Sequence, residues 1–388
     1  MVSPRAIRRF VRWPWAAGLS TLVLISAVSC SSTVTPPASN SVAAGSDFAV
    51  PDGTPGEINA FVQKLKQRKL NFKDQKEAMA FAVNAQKAFI TAGDKILNQE
   101  CSAEVAVKAA QMKMSAFFML AEGRIEDYSN RIVDEVTRLK QDRRPEIAQF
   151  GDQLWIPARI TNSPNMGVED RKKLSEELFT AMVQANYSDE TVGPVVQLGN
   201  TLGDAGKGDE AGAILERLAK IASESTNKKL KANAEVFQST ARKLRLPGNK
   251  FELTGKTLSG EKIDWESYRG KVVLIDYWAT WCKPCLQELP NVKANYAKYH
   301  DRGFEVIGIS LDSSRETLQE FVDAEKIPWP QVFDDSKDMG WGHPMARYYG
   351  ISSVPTAILV DKDGKVVSMS ARAEELAELL EKLLGKAD

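Results

Sequence analysis

Histidine and cysteine are scarce in this chain of 388 residues, with two of the first and four of the second. Four cysteines in so long a chain do not make the disulfide framework that staples small secreted domains. They do not make a zinc site either. Zinc wants four ligands, usually two close pairs or one pair with histidines. Here Cys282 and Cys285 form the one close pair, while Cys101, His300 and His343 stand apart. We expect no metal and no cofactor. Blocks of like charge are also missing: 51 basic residues face 51 acidic ones, so composition gives no reason to expect nucleic acid as a partner. Hydrophobic content of 43% and charged content of 26% are ordinary for globular protein, and the length suggests two or three domains.

The first thirty residues differ from the rest. Arg5, Arg8, Arg9 and Arg12 give a positive start without an acid, and an apolar run follows from Ala16 to Val28. That run is short for a bilayer span and ends in small residues, the pattern of a cleaved export signal over residues 1–29. Its removal takes away four positive charges and leaves a net charge of about −4. Ala27-Val28-Ser29-Cys30 resembles the lipobox of bacterial lipoproteins, although Ala27 stands where that family usually has leucine. The resemblance implies lipid attachment at Cys30, with residues 30–52 as a tether rich in Ser, Thr, Pro and Ala. A plain secreted protein with an unused Cys30 is the simpler alternative.

Between residues 53 and 246 the spacing is helical. Ile58, Phe61, Val62 and Leu65 fall at i, i+3, i+4 and i+7, and Leu174, Leu178, Phe179 and Met182 recur at helical spacing further along. Ser102 is placed to cap a helix with Glu104 in its first turn. Hairpin-type turn signals are few. We expect an all-α domain of helical hairpins. Val195 to Leu202 runs through a Gly-rich turn into Asp209-Glu210-Ala211, which resembles a tetratricopeptide repeat, but no 34-residue period shows elsewhere. Met112, Met114, Phe117, Phe118 and Met119 read as a core helix before they read as a partner groove. Cys101, just ahead of them, is either a redox partner or, the reading we favour, enclosed and inert.

Leu246-Pro247-Gly248-Asn249 reads as a junction, and the pattern changes after it. Val272 to Tyr277, Phe304 to Ile309 and Ala357 to Val360 are short apolar runs suited to strands buried on both faces. Helical segments near 284–299 and 314–325 separate them. Asp363-Gly364 turns into Lys365-Val366-Val367, ahead of a final amphipathic helix near 374–384. The fold class expected is α/β over residues 247–388, preceded by the all-α domain. The first strand runs into Trp278-Ala279-Thr280-Trp281-Cys282-Lys283-Pro284-Cys285. Such a turn puts Cys282 at a helix N-terminus, where free N–H groups, the helix dipole and Lys283 stabilise a thiolate. Cys285 lies one turn in, placed to attack a mixed disulfide on Cys282. We expect Cys282 to be the exposed thiol and Cys285 the shielded one.

Three motifs carry a wider resemblance: Trp281-Cys282-Lys283-Pro284-Cys285, Glu288-Leu289-Pro290, and Ser353-Val354-Pro355-Thr356. Residues 247–388 resemble the thioredoxin-fold family, and within it the membrane-tethered, TlpA-like thiol–disulfide oxidoreductases. The resemblance implies a redox disulfide between Cys282 and Cys285. It also implies a cis Val354–Pro355 bond, with Trp281, Lys283, Pro284, Val354 and Pro355 meeting the substrate. Asp276 matches the buried acid of thioredoxins, and Glu288 the acid typical of the tethered subfamily. Either is placed to take a proton from Cys285. Two departures stand out. Lys283 replaces the glycine of ordinary thioredoxin, and Ser370-Ala371-Arg372-Ala373 occupies a stretch where the family often has glycine.

The function expected is an extracytoplasmic thiol–disulfide oxidoreductase working as a reductase. The resemblance implies clients with disulfides or thiols and a membrane thiol-electron donor, and the helical domain is a candidate surface for a protein partner. Two alternatives stay open. One is a thiol peroxidase of the same fold, against which the W-C-x-P-C pattern argues. The other is a scaffold whose helical half is the main functional part.

Overall fold

The computed structural model describes residues 47–68, 71–336 and 339–386. The segments expected to be an export signal and a tether lie, with Cys30 and up to residue 46, outside the described residues. The chain forms two compact units that divide between residues 201 and 202.

The first unit is helical: α1 (Pro55–Lys66), α2 (Gln75–Leu97), α3 (Ala103–Glu122), α4 (Tyr128–Lys140), α5 (Pro145–Asn162), α6 (Val168–Gln184) and most of α7 (Asp189–Asp204). Local chemistry sets the starts. Thr54 and Glu57 form a reciprocal capping box on α1, Asp74 accepts from the Glu77 amide on α2, and Ser102 caps α3 through the Val105 amide as expected. Ile58, Val62 and Leu65 are buried, in keeping with their spacing. Met114 and Phe117 are also buried, so the methionine–aromatic cluster is core. Lys113 is buried too. It pairs with the half-exposed Asp94 at 2.5 Å and with the buried Glu135, so the buried ammonium is answered by a buried carboxylate. Cys101 departs from expectation. It is a free thiol, half-buried rather than enclosed, because it sits in the turn ahead of α3 and not on its inner face.

The second unit opens with α8 (Gly208–Glu224), α9 (Lys228–Ala232) and α10 (Ala234–Arg245). Helices α8 and α10 pack on each other. Gly208 and Gly212 allow the approach, since a Cβ would meet the Leu244 carbonyl at the first and the Arg245 side chain at the second. The expected junction at Pro247 lies inside this unit, where Gly248 and Asn249 hydrogen-bond Val366 at the sheet edge.

The sheet comprises β1 (Val272–Trp278), β2 (Phe304–Ser310), β3 (Gln331–Val332), β4 (Thr356–Val360) and β5 (Val366–Ser368), in the order β3-β2-β1-β4-β5. β1 runs parallel to β2, and β2 to β3, while β4 is antiparallel to β1 and to β5. Around it lie α11 (Lys283–Tyr299), α12 (Arg315–Glu325), α13 (Pro344–Tyr348) and α14 (Ala373–Leu384). The three apolar runs became the three inner strands. Helix α13 meets α10, with Arg242 donating to the Tyr348 carbonyl at 3.2 Å and lying 4.3 Å over its ring. Gly308 in β2 has no room for a side chain, because the Gln331 amide lies where its Cβ would be. That amide in turn accepts from the Trp278 indole at 2.8 Å. No helix among the described residues is long and apolar enough to cross a membrane.

Candidate active site

Strand β1 occupies the middle of the sheet and delivers the chain to its C-terminal edge, where Ala279, Thr280 and Trp281 turn into α11. Cys282 is the N-cap of that helix, and its sulfur accepts from the Cys285 amide at 3.2 Å. Pro284 falls in the first turn, where a missing N–H costs nothing. Cys282 and Cys285 are joined in a disulfide with Cα atoms 5.2 Å apart.

A buried acid that the sequence reading did not single out holds the turn. Asp312, 3% exposed just past β2, accepts from the Thr280 amide at 3.2 and 3.1 Å and from its hydroxyl at 2.7 Å. Ser310 donates to the same carboxylate at 2.8 Å. All these donors lie on two segments meeting at one sheet edge, so the carboxylate fixes the residue two places before Cys282. Asp312→Ala is therefore expected to lower the stability of this unit by about 2–3 kcal/mol through stranded buried donors. It should shift the denaturant midpoint with little change in slope. A midpoint equal to the parent's would show that Thr280 is held by something else.

The expected contrast in exposure is absent. Cys282 is 4% exposed and Cys285 5%. In the disulfide the two sulfurs turn into their shared bond and join the apolar core, so neither is offered to solvent. The surface belongs to their neighbours. Trp281 is 55% exposed and Trp341 44%, with ring centroids 6.2 Å apart. Lys283 and Pro284 are exposed, and Val354 and Pro355 half-buried. The Val354–Pro355 bond is cis, as the resemblance implied. His343 does not join the site. It is buried, its Nδ1 accepts from the Met345 amide at 3.2 Å at the start of α13, and burial pushes its pKa down to about 4.

Asp276 and Glu288 share one neighbourhood with different surroundings. Asp276 sits mid-sheet, paired in register with Gly308 and Ala357, which carry no charge to answer it. Its pKa is pushed up to about 7, first by desolvation and then by the charge of Glu288, with Arg372 opposing. Glu288 is neither a solvated surface acid nor a buried lone one. It accepts from the Ala373 amide at 2.8 Å and from Asn291 Nδ2 at 2.7 Å.

A five-stranded sheet of this order, with a cysteine pair at the helix that follows its central strand and a cis-proline loop ahead of β4, is a thioredoxin-like domain. A family model described as the AhpC/TSA family matches residues 247–369. Over 129 residues the chain is 35% identical to the thiol-disulfide oxidoreductase ResA of Bacillus thuringiensis subsp. konkukian, covering 33% of this chain and 70% of that protein. The ResA of Bacillus anthracis is 36% identical over 129 residues, with the same two coverages. The crystal structure of the thioredoxin domain of a thiol-disulfide oxidoreductase from Bacteroides vulgatus aligns with 31% identity and a TM-score of 0.33, over 36% of this chain and 97% of that one. This chain belongs to the ResA-like thiol–disulfide oxidoreductases, enzymes whose clients are proteins bearing thiols or disulfides.

Proposed function

We propose that the enzyme is an extracytoplasmic reductase of protein disulfides, TlpA-like in its arrangement and tethered to a membrane by lipid on Cys30. The observation that carries the chemistry is the cap of α11: the Cys285 amide already points at the Cys282 sulfur, so a thiolate formed there inherits a donor and the helix dipole. Reduced Cys282 attacks a client disulfide, the client S–S bond breaks, and one client thiolate leaves. Cys285 then gives its proton to the Asp276 carboxylate. Its thiolate attacks Cys282 Sγ, the Cys282–Cys285 bond forms, and the second client thiolate departs. The client gains two electrons. A dithiol electron donor in the membrane returns them to the cysteine pair.

Trp281, Lys283, Pro284 and the Val354–Pro355 loop form the client-facing surface in this reading. Exposed tryptophan beside a buried cysteine pair supports it, since such aromatic surface gains from being covered. The arginines and apolar run of the first thirty residues support export, and Ser29-Cys30 supports the anchor. The helices ahead of residue 202, those of the first unit, are read as α-hairpins that gather clients for Cys282 and raise their local concentration.

The experiment supplies the full-length protein with a dithiol and either insulin or hydrogen peroxide. Insulin should be reduced many times per enzyme, and peroxide should not be consumed. Peroxide turnover without insulin reduction would make the protein a thiol peroxidase, and loss of neither substrate would leave the scaffold reading. In cells, Cys30→Ala should leave the membrane fraction or fail to mature. Unchanged fractionation and migration would remove the anchor.

A further inference from the structure

The stretch Ser370 to Ala373, which departs from the glycine common in the family, is where three parts of the site meet. Ala373 has φ +51°, a left-handed backbone that a residue with a Cβ ordinarily avoids. Side chains of α11 hold it there from both sides. Its N–H donates to Glu288 Oε1 at 2.8 Å, and its carbonyl accepts from Asn291 Nδ2 at 3.2 Å. Asn291 also donates to Glu288 Oε1, closing the ring of contacts. The residue before it, Arg372, is thereby fixed against the site. Its Nη1 donates to the carbonyl of Pro355 at 3.3 Å, and its side chain is half-buried.

We propose that Arg372 is a positioning residue of the exchange site, holding the carbonyl of the client-facing Pro355 and standing as the counter-charge to Asp276. The proposal rests on the exchange reading above and assigns to that site a residue that no motif contains. Client docking and the resolving proton transfer then share one side chain. The charged groups that act on Asp276 are Glu288 from α11 and Arg372 from the segment before α14. The strands on either side contribute none at its register. The first keeps Asp276 protonated and the second favours its ionised, proton-accepting form. Removing Arg372 therefore leaves Glu288 unopposed, and Asp276 should need a higher pH to serve as base.

The test follows resolution, the release of the second client thiol from a mixed disulfide on Cys282, against pH in the full-length protein. For Arg372→Gln the midpoint of that profile should rise by about one unit, as loss of a nearby opposite charge predicts. KM for a peptide disulfide should rise several-fold as the Pro355 loop loses its tie. Arg372→Lys should return most of the midpoint shift, because the charge is restored. The midpoint shift should also vanish in an Asp276→Asn background, which separates charge coupling from a loosened fold and can be read even if Arg372→Gln lowers stability. Variant profiles and KM superimposed on the parent's would overturn the role of Arg372, as would a shift that persists without Asp276. A parent that never releases client thiol would instead overturn the exchange reading itself.

Discussion

Cys285→Ser is expected to leave client proteins covalently held on Cys282, while Cys282→Ser forms no such adduct and loses more than about a thousandfold in disulfide reduction. The asymmetry follows from the two positions on α11. Cys282 is the cap, outside the hydrogen-bonded turns, and its sulfur receives the Cys285 amide. Cys285 lies inside the first turn and has no comparable donor. In the reduced enzyme Cys282 should therefore titrate below the ~8.5 of a free thiol, with Lys283 adding to the effect. Alkylation rate against pH measures this, and non-reducing gels of Cys285→Ser reveal the adducts. Equal burial of the two sulfurs in the disulfide does not weaken the expectation, because exposure of the attacking thiol is a property of the reduced pair. If Cys285 is alkylated first, or if adducts gather on Cys282→Ser, the roles are reversed.

Much of this site was legible because its determinants are close together in the chain. An apolar β-branched run ending in W-C-x-P-C specifies strand, turn and helix cap within fifteen residues, and the Val354–Pro355 motif sits directly before β4. Strand β3 was not legible: Gln331-Val332 is too short to show a period, and it is a strand because β2 lies beside it. Asp312 left only a faint local signal, an acid just past a strand at the sheet's C-terminal edge, since its main partner, Thr280, is 32 residues away. Arg372 left less still, because its partner is a backbone carbonyl on another loop. The placement of α8 and α10 in the same compact unit as the sheet depends on contacts such as Arg242 with Tyr348, 106 positions apart. Local composition marks Pro247 as a break and is silent on packing across it. The two acids show the same limit. Spacing put both near the cysteines, and only the fold shows Glu288 engaged by Ala373 and Asn291 while Asp276 sits among uncharged strand neighbours.

That difference gives Asp276 a signature in both stability and rate. Its pKa rises from the ordinary carboxylate range to about 7 on folding. The folded state therefore binds the extra proton between about pH 4 and 7, and stability falls as pH rises through that window. Asp276→Asn carries no charge to desolvate. Its second unit should be more stable than the parent's by about 2–4 kcal/mol at pH 8, a gain that shrinks as pH falls and disappears near pH 4. His343 acts with the opposite sign: its folded pKa of about 4 lies below the ordinary 6.5, so it destabilises the fold as pH drops from 6.5 towards 4. Being common to both proteins, it cancels in their difference. Denaturant melts of the two oxidised proteins at pH 4, 6 and 8 measure the gain. The same substitution should slow resolution by about a hundredfold at neutral pH, where a positioned base is worth most, and by less at high pH, where Cys285 ionises unaided. Stability gained and resolution lost in one variant is the outcome that separates a proton acceptor from a packing residue. A variant that is destabilised at pH 8, or that resolves mixed disulfides at the parent's rate, would remove Asp276 from the mechanism and leave Glu288 as the acid to test.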